Sequence, residues 1–265
     1  MFDSLRETGP PVNIPMNPSP ARGGSAERAM RAGTTIKELY EHYWEERRRG
    51  GSDAGDSAPD EILEAVESAL DGAERLLDVG CGIGNLIDVA RGRCGAVHGC
   101  DVSEVAVHEA CGRGVIGVCA DLNGGALPYR SGAFDWATCL EVIEHVVDPL
   151  QLLRELHRVL RPAGRLIMTT PNIRYFRNVA RLVWRGEFPH TTTDTFVWGG
   201  GHLHYFTRRD LSGLLVMAGF EPPRFLINAR QFERSWKRRV LARIIGWERF
   251  GEWMCGGIVA VARKP

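Results

Sequence analysis

The sequence predicts an α/β fold in which a parallel sheet is covered by helices on both faces. Short apolar runs alternate with helical segments from about residue 73 onward, at the spacing of strand–helix–strand units. The runs are nearly continuous in apolar residues, as strands buried on both faces are. A glycine-rich turn, "GCGIGN", directly follows the first run, at the end of a predicted strand where ligands commonly bind.

The chain before residue 73 divides into two parts. Residues 1–33 are rich in Pro, Gly, Ser and Arg without hydrophobic periodicity, which predicts a disordered tail. Residues 34–72 predict two helices, "TIKELYEHYWEERRR" and "EILEAVESAL", joined by a Gly-, Ser- and Asp-rich linker. The first helix carries an apolar stripe that includes Tyr40, Tyr43 and Trp44, and we expect residues 34–72 to form an N-terminal helical lid.

The domain proper is predicted to span residues 73–265. Its strands are "RLLDV", "AVHGCDV", "VIGVCAD", "FDWATCLEV" and "RLIMTT", and its helices are "GNLIDVARG", "SEVAVHEACGR" and "DPLQLLRELHRVLRPAG". The last helix has the clearest limits, because Asp148 can cap it, Pro149 suits its first turn and Gly164 suits the turn beyond it. Residues 174–205 break the alternation and predict an inserted cap. A helix, "TRRDLSGLLVMAGF", and a last strand, "GGIVAVARKP", follow.

Composition limits the function classes. The chain has 265 residues and a formal net charge of zero, so it has no overall attraction to nucleic acid or membrane. Its seven cysteines lie mostly in apolar runs without a CxxC pair, and we interpret them as reduced core residues of a cytosolic protein. No apolar run approaches the roughly 18 residues of a membrane span, and the N-terminus has no secretory h-region, so we expect a cytoplasmic location.

The glycine turn does not match a dinucleotide site. Gly80, Gly82 and Gly84 make G-x-G-x-G, and Asn85 stands where the dinucleotide fingerprint has its last glycine. Asp78, at the strand end, would repel a pyrophosphate and attract an ammonium group. This disfavours a nicotinamide dehydrogenase and predicts a cationic ligand held at the turn, which also includes Cys81.

Two further acidic residues complete the pattern. Asp101 follows the second strand, where a carboxylate can accept hydrogen bonds from ribose hydroxyls, with Val102 beside it. Asp121 follows the third strand and can accept from an adenine amino group, with Leu122 against the ring. Carboxylates at three successive strand ends predict S-adenosylmethionine, which combines an ammonium, a sulfonium, a ribose and an adenine without phosphate.

These segments resemble the successive motifs of class I S-adenosylmethionine-dependent methyltransferases, closely over about 73–172 and loosely through "HLHYFTRRDLSGLLVMAGF". The resemblance implies a Rossmann-like, seven-stranded, mostly parallel sheet whose last strand is antiparallel. It also implies that Asp78, Gly80, Gly82, Asp101 and Asp121 hold the cofactor, and that Leu140 and Glu141 line its methionine side. The lid and the inserted cap fit no pattern within the family, and we expect them to select the acceptor.

Candidate catalytic residues lie in "EVIEHV" and "GGGHLHYFT". His202 and His204 alternate, so on an extended segment both would point the same way, and either could be a general base beside His145. Glu141, Glu144 and His145 would share one face of a helical turn and, with His202 or His204, could bind a divalent cation. That motif is similar to those of ubiquinone-pathway O-methyltransferases and of enzymes that methylate the terminal 2′-hydroxyl of small RNAs. The alternative is that Glu141 and His145 line the cofactor without a metal.

Two aromatic or basic segments have structural and functional interpretations. The stripe with Tyr43 either packs the first helix or places an aromatic face near the sulfonium. Residues 230–250 predict a basic amphipathic helix that would either pack on its own sheet, join a homodimer, or contact anionic membrane or RNA.

The sequence therefore leaves three functions open. The first is O-methylation of a small biosynthetic molecule, which net charge favours over nucleic acid. The second is metal-assisted methylation of a vicinal diol, in a quinone precursor or an RNA 3′-terminal ribose. The third is a non-catalytic subunit that binds the cofactor and scaffolds a partner.

Overall fold

The computed structural model describes residues 35–50, 66, 70, 73–189, 201–226, 240, 243–244 and 246–265. The predicted tail at 1–33 and most of the basic segment at 230–250 lie outside these residues. So do the linker before residue 73 and residues 190–200 of the predicted cap. Predictions made for them remain predictions.

A single sheet of seven strands organises the described domain. The strands are β1 (Ala73–Val79), β2 (Cys94–Asp101), β3 (Ile116–Cys119), β4 (Phe134–Leu140), β5 (Leu160–Pro171), β6 (Arg224–Leu226) and β7 (Gly257–Arg263). Their order is β3-β2-β1-β4-β5-β7-β6. β1 to β5 pair in parallel, and β7 runs antiparallel to both β5 and β6. The predicted seven-stranded, mostly parallel sheet is confirmed.

Seven α-helices are described around the sheet. They are α1 (Ile36–Gly50), α2 (Leu86–Ala90), α3 (Glu104–Gly112), α4 (Pro149–Val159), α5 (Phe176–Ala180), α6 (Arg208–Met217) and α7 (Trp247–Met254). A π-helical turn, Arg181–Arg185, continues α5. The predicted limits of α4 hold at its start, because Asp148 accepts a hydrogen bond from the Gln151 N–H at 3.0 Å and Pro149 occupies the first turn.

Apolar side chains bury both faces of the sheet. On one face α4 and α6 contribute leucines, including Leu153, Leu156 and Leu211, to a cluster with β4 and β5. On the other face Leu86 and Ile87 of α2 and Ala110 of α3 pack against β1 and β2. Each face is covered because α4 crosses on one side and α2 and α3 on the other. With both faces covered by helices, the edge at which a ligand can bind is the one formed by the carboxyl ends of the parallel strands.

Two local predictions were wrong. β5 begins at Leu160 rather than at Arg165, and within its first residues Ala163, not Gly164, adopts the left-handed region, at φ 63°. All seven cysteines are free, but not all belong to the core, because Cys111 and Cys119 are exposed. Cys111 lies on the outer side of α3, and Cys119 ends β3, the strand at the edge of the sheet.

The described parts of the predicted lid and cap are short. α1 represents the first lid helix, and of the second only Val66 and Leu70 are described, both buried. In the cap, residues 181–188 are exposed throughout, and Trp184 is 80% exposed. Whether 34–72 and 174–205 act as a lid and a cap stays a prediction.

Candidate functional site

The candidate site lies where β1, β2 and β4 end, at the point where strand order reverses between β1 and β4. The turn after β1 is attached to β2, because the N–H groups of Gly80 and Cys81 both donate to the Cys100 carbonyl, at 2.8 and 3.1 Å. Cys81 is buried, and burial raises the pKa of its thiol, so it is inert packing at the base of the turn.

Glycine is required at two positions of this turn. Gly80 has φ +73°, and a Cβ there would lie 2.2 Å from Cγ2 of Val142, in the segment after β4. Gly82 has φ +49°, and a Cβ there would lie 2.9 Å from the Trp44 ring of α1. The lack of a side chain at these two positions therefore lets the turn pack closely against α1 and the segment after β4.

Asp78 is buried at the end of β1 and is 5% exposed. The Thr138 hydroxyl donates a hydrogen bond to its Oδ1 at 2.7 Å. Burial raises the pKa of Asp78 to about 7, against the lowering effect of the Thr138 hydrogen bond and with a further increase from the nearby Asp101 charge. A cation beside this carboxyl would favour its ionised form.

Asp101 ends β2 and is also buried. Its Oδ2 accepts the Gly82 N–H and its Oδ1 accepts the Ser103 N–H, both at 3.0 Å. Burial raises its pKa, although these hydrogen bonds oppose the shift. Each carboxylate oxygen retains a second lone pair, so the group can still accept a ligand hydroxyl.

The remaining predicted cofactor residues surround this centre at different depths. Asp121 is exposed, and its Oδ1 accepts the Asn123 N–H at 2.9 Å. Leu122 and Leu140 are half-buried and pack against the core. The Val102 carbonyl accepts the Cys119 thiol at 3.3 Å, and Gly84 packs against Ala110 of α3.

The segment after β4 holds two acids, of which Glu141 is half-buried and Glu144 is buried. Glu141 adopts φ 54°, a left-handed conformation that a non-glycine residue rarely takes, and Thr169 fixes it by accepting its N–H. Glu144 is fully buried, and its Oε2 accepts the Thr170 hydroxyl at 3.1 Å. Burial raises the pKa of both carboxyls, and the Glu141 charge adds to the increase at Glu144. Oε1 of each acid has no hydrogen-bond partner among the described residues.

His145 and His202 meet beside these acids. Their ring centroids are 4.6 Å apart, and the rings are nearly perpendicular. Nδ1 of His145 lies 3.2 Å from the Gly201 carbonyl, so in the neutral ring Nδ1 carries the proton and Nε2 is the accepting nitrogen. Burial, together with the neighbouring His145, lowers the pKa of His202 to about 4, so His202 is neutral at neutral pH.

His204 does not join this group. Its Nε2 lies 3.4 Å from the Val147 carbonyl, and its ring lies against Phe206, with centroids 6.0 Å apart. The His204 N–H and the Leu203 N–H both donate to the Glu144 carbonyl. These bonds fix residues 201–206, called the strip below, to the segment after β4. The structure thus gives the two alternating histidines different neighbours.

Three of the side chains considered for a metal come together. Glu144, His145 and His202 each offer one ligand atom within 4.8 Å of the others. Glu141 and His204 are outside this group, and the segment from Glu141 to His145 is an irregular turn rather than a helix.

α1 packs against the site through long-range contacts that residue spacing in the sequence could not predict. Trp44 covers Gly82, and the Tyr43 ring meets Trp44 edge-on, with centroids 5.3 Å apart. The Tyr40 ring reaches His145 edge-on, with centroids 6.4 Å apart. Glu41 and Thr138 were also missed, because each acts on residues about 60 positions away in the chain.

The fold defines the class of protein as an α/β domain with a candidate ligand site at the switch point of its sheet. A family model described as "Methyltransferase domain" matches residues 43–222. The chain belongs to this methyltransferase-domain family.

Curated relatives match part of the chain. The ubiquinone biosynthesis O-methyltransferase of Pseudomonas aeruginosa is 30% identical over 147 residues, 51% of this chain and 60% of that protein. The protein of the same name from Xanthomonas oryzae is 37% identical over 117 residues, 42% of this chain and 48% of that protein. The match with these relatives thus spans 60% or less of their length.

Solved structures share the fold. A Thermotoga maritima structure titled as a SAM-dependent methyltransferase, possible histamine N-methyltransferase, has a TM-score of 0.60 at 20% identity, covering 87% of this chain and all of that one. The [4+2]-cyclase SpnF has a TM-score of 0.52 at 27% identity, covering 78% of this chain and 81% of that one. Because one fold carries such different titles, the reaction must be argued from the site.

Proposed function

We propose that this methyltransferase transfers the methyl group of S-adenosylmethionine to a hydroxyl group of a small organic acceptor. The observation that carries the proposal is the pairing of His145, in the segment after β4, with His202. A neutral net charge favours a small acceptor over nucleic acid. The names of the curated relatives, O-methyltransferases, agree with a hydroxyl acceptor.

The residues at the glycine turn fit this cofactor. Gly80 and Gly82 let the turn pack closely against Val142 and Trp44, and buried carboxyls stand at the ends of β1 and β2. In the proposal Asp78 accepts the ammonium group, Asp101 the ribose hydroxyls and Asp121 the adenine amino group. When bound, the cofactor supplies an activated methyl group on a sulfonium, so the protein needs to position the acceptor and manage one proton.

His145 is the proposed general base. The Gly201 carbonyl fixes the Nδ1 proton, so Nε2 can take the proton from the acceptor hydroxyl, a contribution of about 10²–10⁴-fold in similar cases. His202 is the second proposed catalytic residue. Because it is neutral, it places no positive charge against His145 when that ring gains a proton. His204, which contacts Val147, is better placed to hold the strip in position.

Calorimetric titration with S-adenosylhomocysteine, with NAD as control, tests the cofactor, and tritiated methyl transfer to a panel of phenols, catechols, amines and alkyl alcohols tests the acceptor. Binding of the homocysteine compound and transfer confined to hydroxyl acceptors are the expected results. NAD binding alone would overturn the proposal. Tight cofactor binding without transfer to any acceptor would favour the scaffold function.

A second candidate function is metal-assisted methylation of a vicinal diol. It is favoured by the approach of Glu144, His145 and His202 within 4.8 Å, together with the buried Oε1 of Glu144, which lacks a partner among the described residues. These three residues would hold the ion, which would lower the pKa of a bound hydroxyl. Titration with Mg²⁺ and Mn²⁺ should then release heat in the wild type and not in Glu144→Gln. A chelator without effect on turnover would exclude this mechanism.

The partners and location predicted from sequence remain open. No helix in the described part of the chain is long and apolar enough to span a bilayer. The homodimer and the membrane contact predicted through residues 230–250 stay predictions, since most of that segment is outside the described residues.

A further inference from the structure

Glu41 of α1 binds the first turn of α3. Its Oε2 accepts the Ser103 hydroxyl at 2.8 Å and the Val105 N–H at 3.3 Å, and its Oε1 accepts the Glu104 N–H at 2.6 Å. Partial burial opposes ionisation, but these hydrogen bonds outweigh it and lower the pKa of Glu41 below its usual range. The carboxylate therefore satisfies the otherwise open donors at the start of a helix, where negative charge is favoured.

This contact holds α1 against the site. On the same helix Trp44 covers Gly82 of the glycine turn and Tyr40 reaches His145. Lys37 adds an exposed ion pair with Glu104. Among the described contacts of α1, the Glu41 contact is the one in which a single side chain accepts three hydrogen bonds, so we expect it to be the strongest polar attachment of the helix.

Ser103 connects this attachment to the proposed ribose site. Its hydroxyl donates to Glu41, and its N–H donates to Oδ1 of Asp101 at 3.0 Å. Asp101 in turn accepts the N–H of Gly82, the residue that Trp44 covers. A closed path thus runs from Glu41 through Ser103, Asp101 and Gly82 back to α1.

We propose that Glu41 is a positioning residue for the cofactor: it fixes α1 over the glycine turn and holds Ser103 and Asp101 in place for the ribose. The inference rests on the proposed cofactor. It assigns no contact between Glu41 and the ligand. Its effect passes through α3 and through the aromatic side of α1.

The direction in which cofactor affinity changes when Glu41 is replaced distinguishes a positioning role from a purely electrostatic effect on Asp101. The Glu41 charge adds slightly to the raised pKa of Asp101, whose main cause is burial. If charge alone mattered, removing it would ease ionisation of Asp101 and strengthen ribose binding. If Glu41 positions the site, its replacement by glutamine weakens binding, because the amide keeps one acceptor oxygen and turns an NH₂ group, which cannot accept, toward the remaining donors.

The test is calorimetric titration of the full chain with S-adenosylhomocysteine for the wild type, Glu41→Gln and Glu45→Gln. Glu45 lies one turn further along α1 and pairs only with the exposed Arg49 among the contacts described for it, so it is the matched control. We expect the Kd of Glu41→Gln to rise about tenfold, a typical coupling between sites, and that of Glu45→Gln to stay within a factor of two. Thermal unfolding of the ligand-free proteins shows whether each variant is folded.

A double-mutant cycle gives the second readout. Ser103→Ala removes the hydroxyl donor, and it also removes a cap on the Ala106 N–H, but that loss cancels in the cycle. We expect the Kd of the double variant to be only slightly higher than that of whichever single variant binds S-adenosylhomocysteine more weakly, because both substitutions break the same Glu41–Ser103 contact. Fold-changes that simply multiply, an unchanged Kd in Glu41→Gln, or a tighter one would each overturn the inference. A wild type that binds no S-adenosylhomocysteine would instead refute the proposed function.

Discussion

The Thr138 hydroxyl donates a 2.7 Å hydrogen bond to Asp78, and both side chains are buried at the junction of β1 and β4. This hydrogen bond stabilises the ionised form of the buried carboxyl, but its effect on the pKa is smaller than that of burial. The pKa of Asp78 is raised to about 7, with burial as the main cause. The ionisation of Asp78 is therefore balanced near neutral pH, where an ammonium group would shift it toward the charged form.

The first prediction concerns pH. With a pKa of about 7, roughly a tenth of Asp78 is ionised at pH 6 and roughly nine-tenths at pH 8. Because the ammonium group binds the ionised form, the affinity for S-adenosylhomocysteine should rise about tenfold between these values. Calorimetry across this range measures the change. In Asp78→Asn the affinity should be low and its pH dependence should flatten; a retained slope would assign the titration to another group, such as Asp101.

Thr138→Val should move this titration. Losing the hydroxyl removes the effect that lowers the pKa of Asp78, so the midpoint of the affinity curve should shift to higher pH and binding at pH 7 should weaken several-fold. Thr170→Val is the matched control, because Thr170 bonds Glu144 on the other side of the site. An equal shift in both variants would contradict the assignment.

Asp78 should also reduce the stability of the ligand-free protein at high pH. Its folded-state pKa lies above the unfolded value of 3.8, so the folded state binds the proton more tightly and this contribution to stability declines as pH rises from about 4 to 7. Asp78→Asn should consequently unfold at a higher temperature than the wild type at pH 8 and show little difference at pH 4. Thermal unfolding at the two pH values decides; a variant that is less stable at pH 8 would show that the carboxylate is better compensated than its contacts indicate.

Much of the fold follows from local patterns. The apolar runs located β1, β2, β4, β5 and β7, because strands buried on both faces contain few polar residues. The start of α4 was predictable because Asp148 and Pro149 act within one turn of it. The left-handed Ala163 near the start of β5 was not, since its N–H donates to the carbonyl of Lys264, about 100 residues away, and no local glycine preference indicates that contact. In the site, the carboxylates at strand ends were accessible to sequence reasoning because strand topology alone brings them together.

The rest of the site depends on contacts between distant segments. His145 meets the carbonyl of Gly201 and the ring of His202, more than 50 residues away, and spacing between His202 and His204 could not tell which of them would do so. Glu41 follows an aromatic residue on an ordinary helix, and nothing local marks it as the partner of Ser103. Such contacts are selected by tertiary packing and leave no periodic signal.

His145→Ala should separate catalysis from binding. Loss of the proposed base should lower kcat by about 10²–10⁴-fold with the hydroxyl acceptor found in the panel. The Kd for S-adenosylhomocysteine should change less than threefold, because His145 contacts Gly201, His202 and Tyr40 rather than the glycine turn. His204→Ala is the control, and it should retain most of its activity. Activity lost equally in the two variants would point to a structural role for the whole strip.

Gly80→Ala should abolish cofactor binding, because the added Cβ collides with Val142. Gly92→Ala is the control, since it measures the loss of folding stability that comes from backbone strain alone. The two glycines have similar φ values, +73° and +78°, so an added Cβ strains the backbone alike, by about 1–2 kcal/mol. At Gly92 the Cβ meets nothing within 4 Å, whereas at Gly80 it would lie 2.2 Å from Val142 and must displace the segment that carries Glu141 and Glu144. Urea unfolding should therefore show a larger loss of stability for Gly80→Ala, and S-adenosylhomocysteine binding should fail in that variant while persisting in Gly92→Ala. Equal losses of stability, with binding retained in both variants, would show that Val142 and the turn can shift to accept the Cβ without disturbing the site.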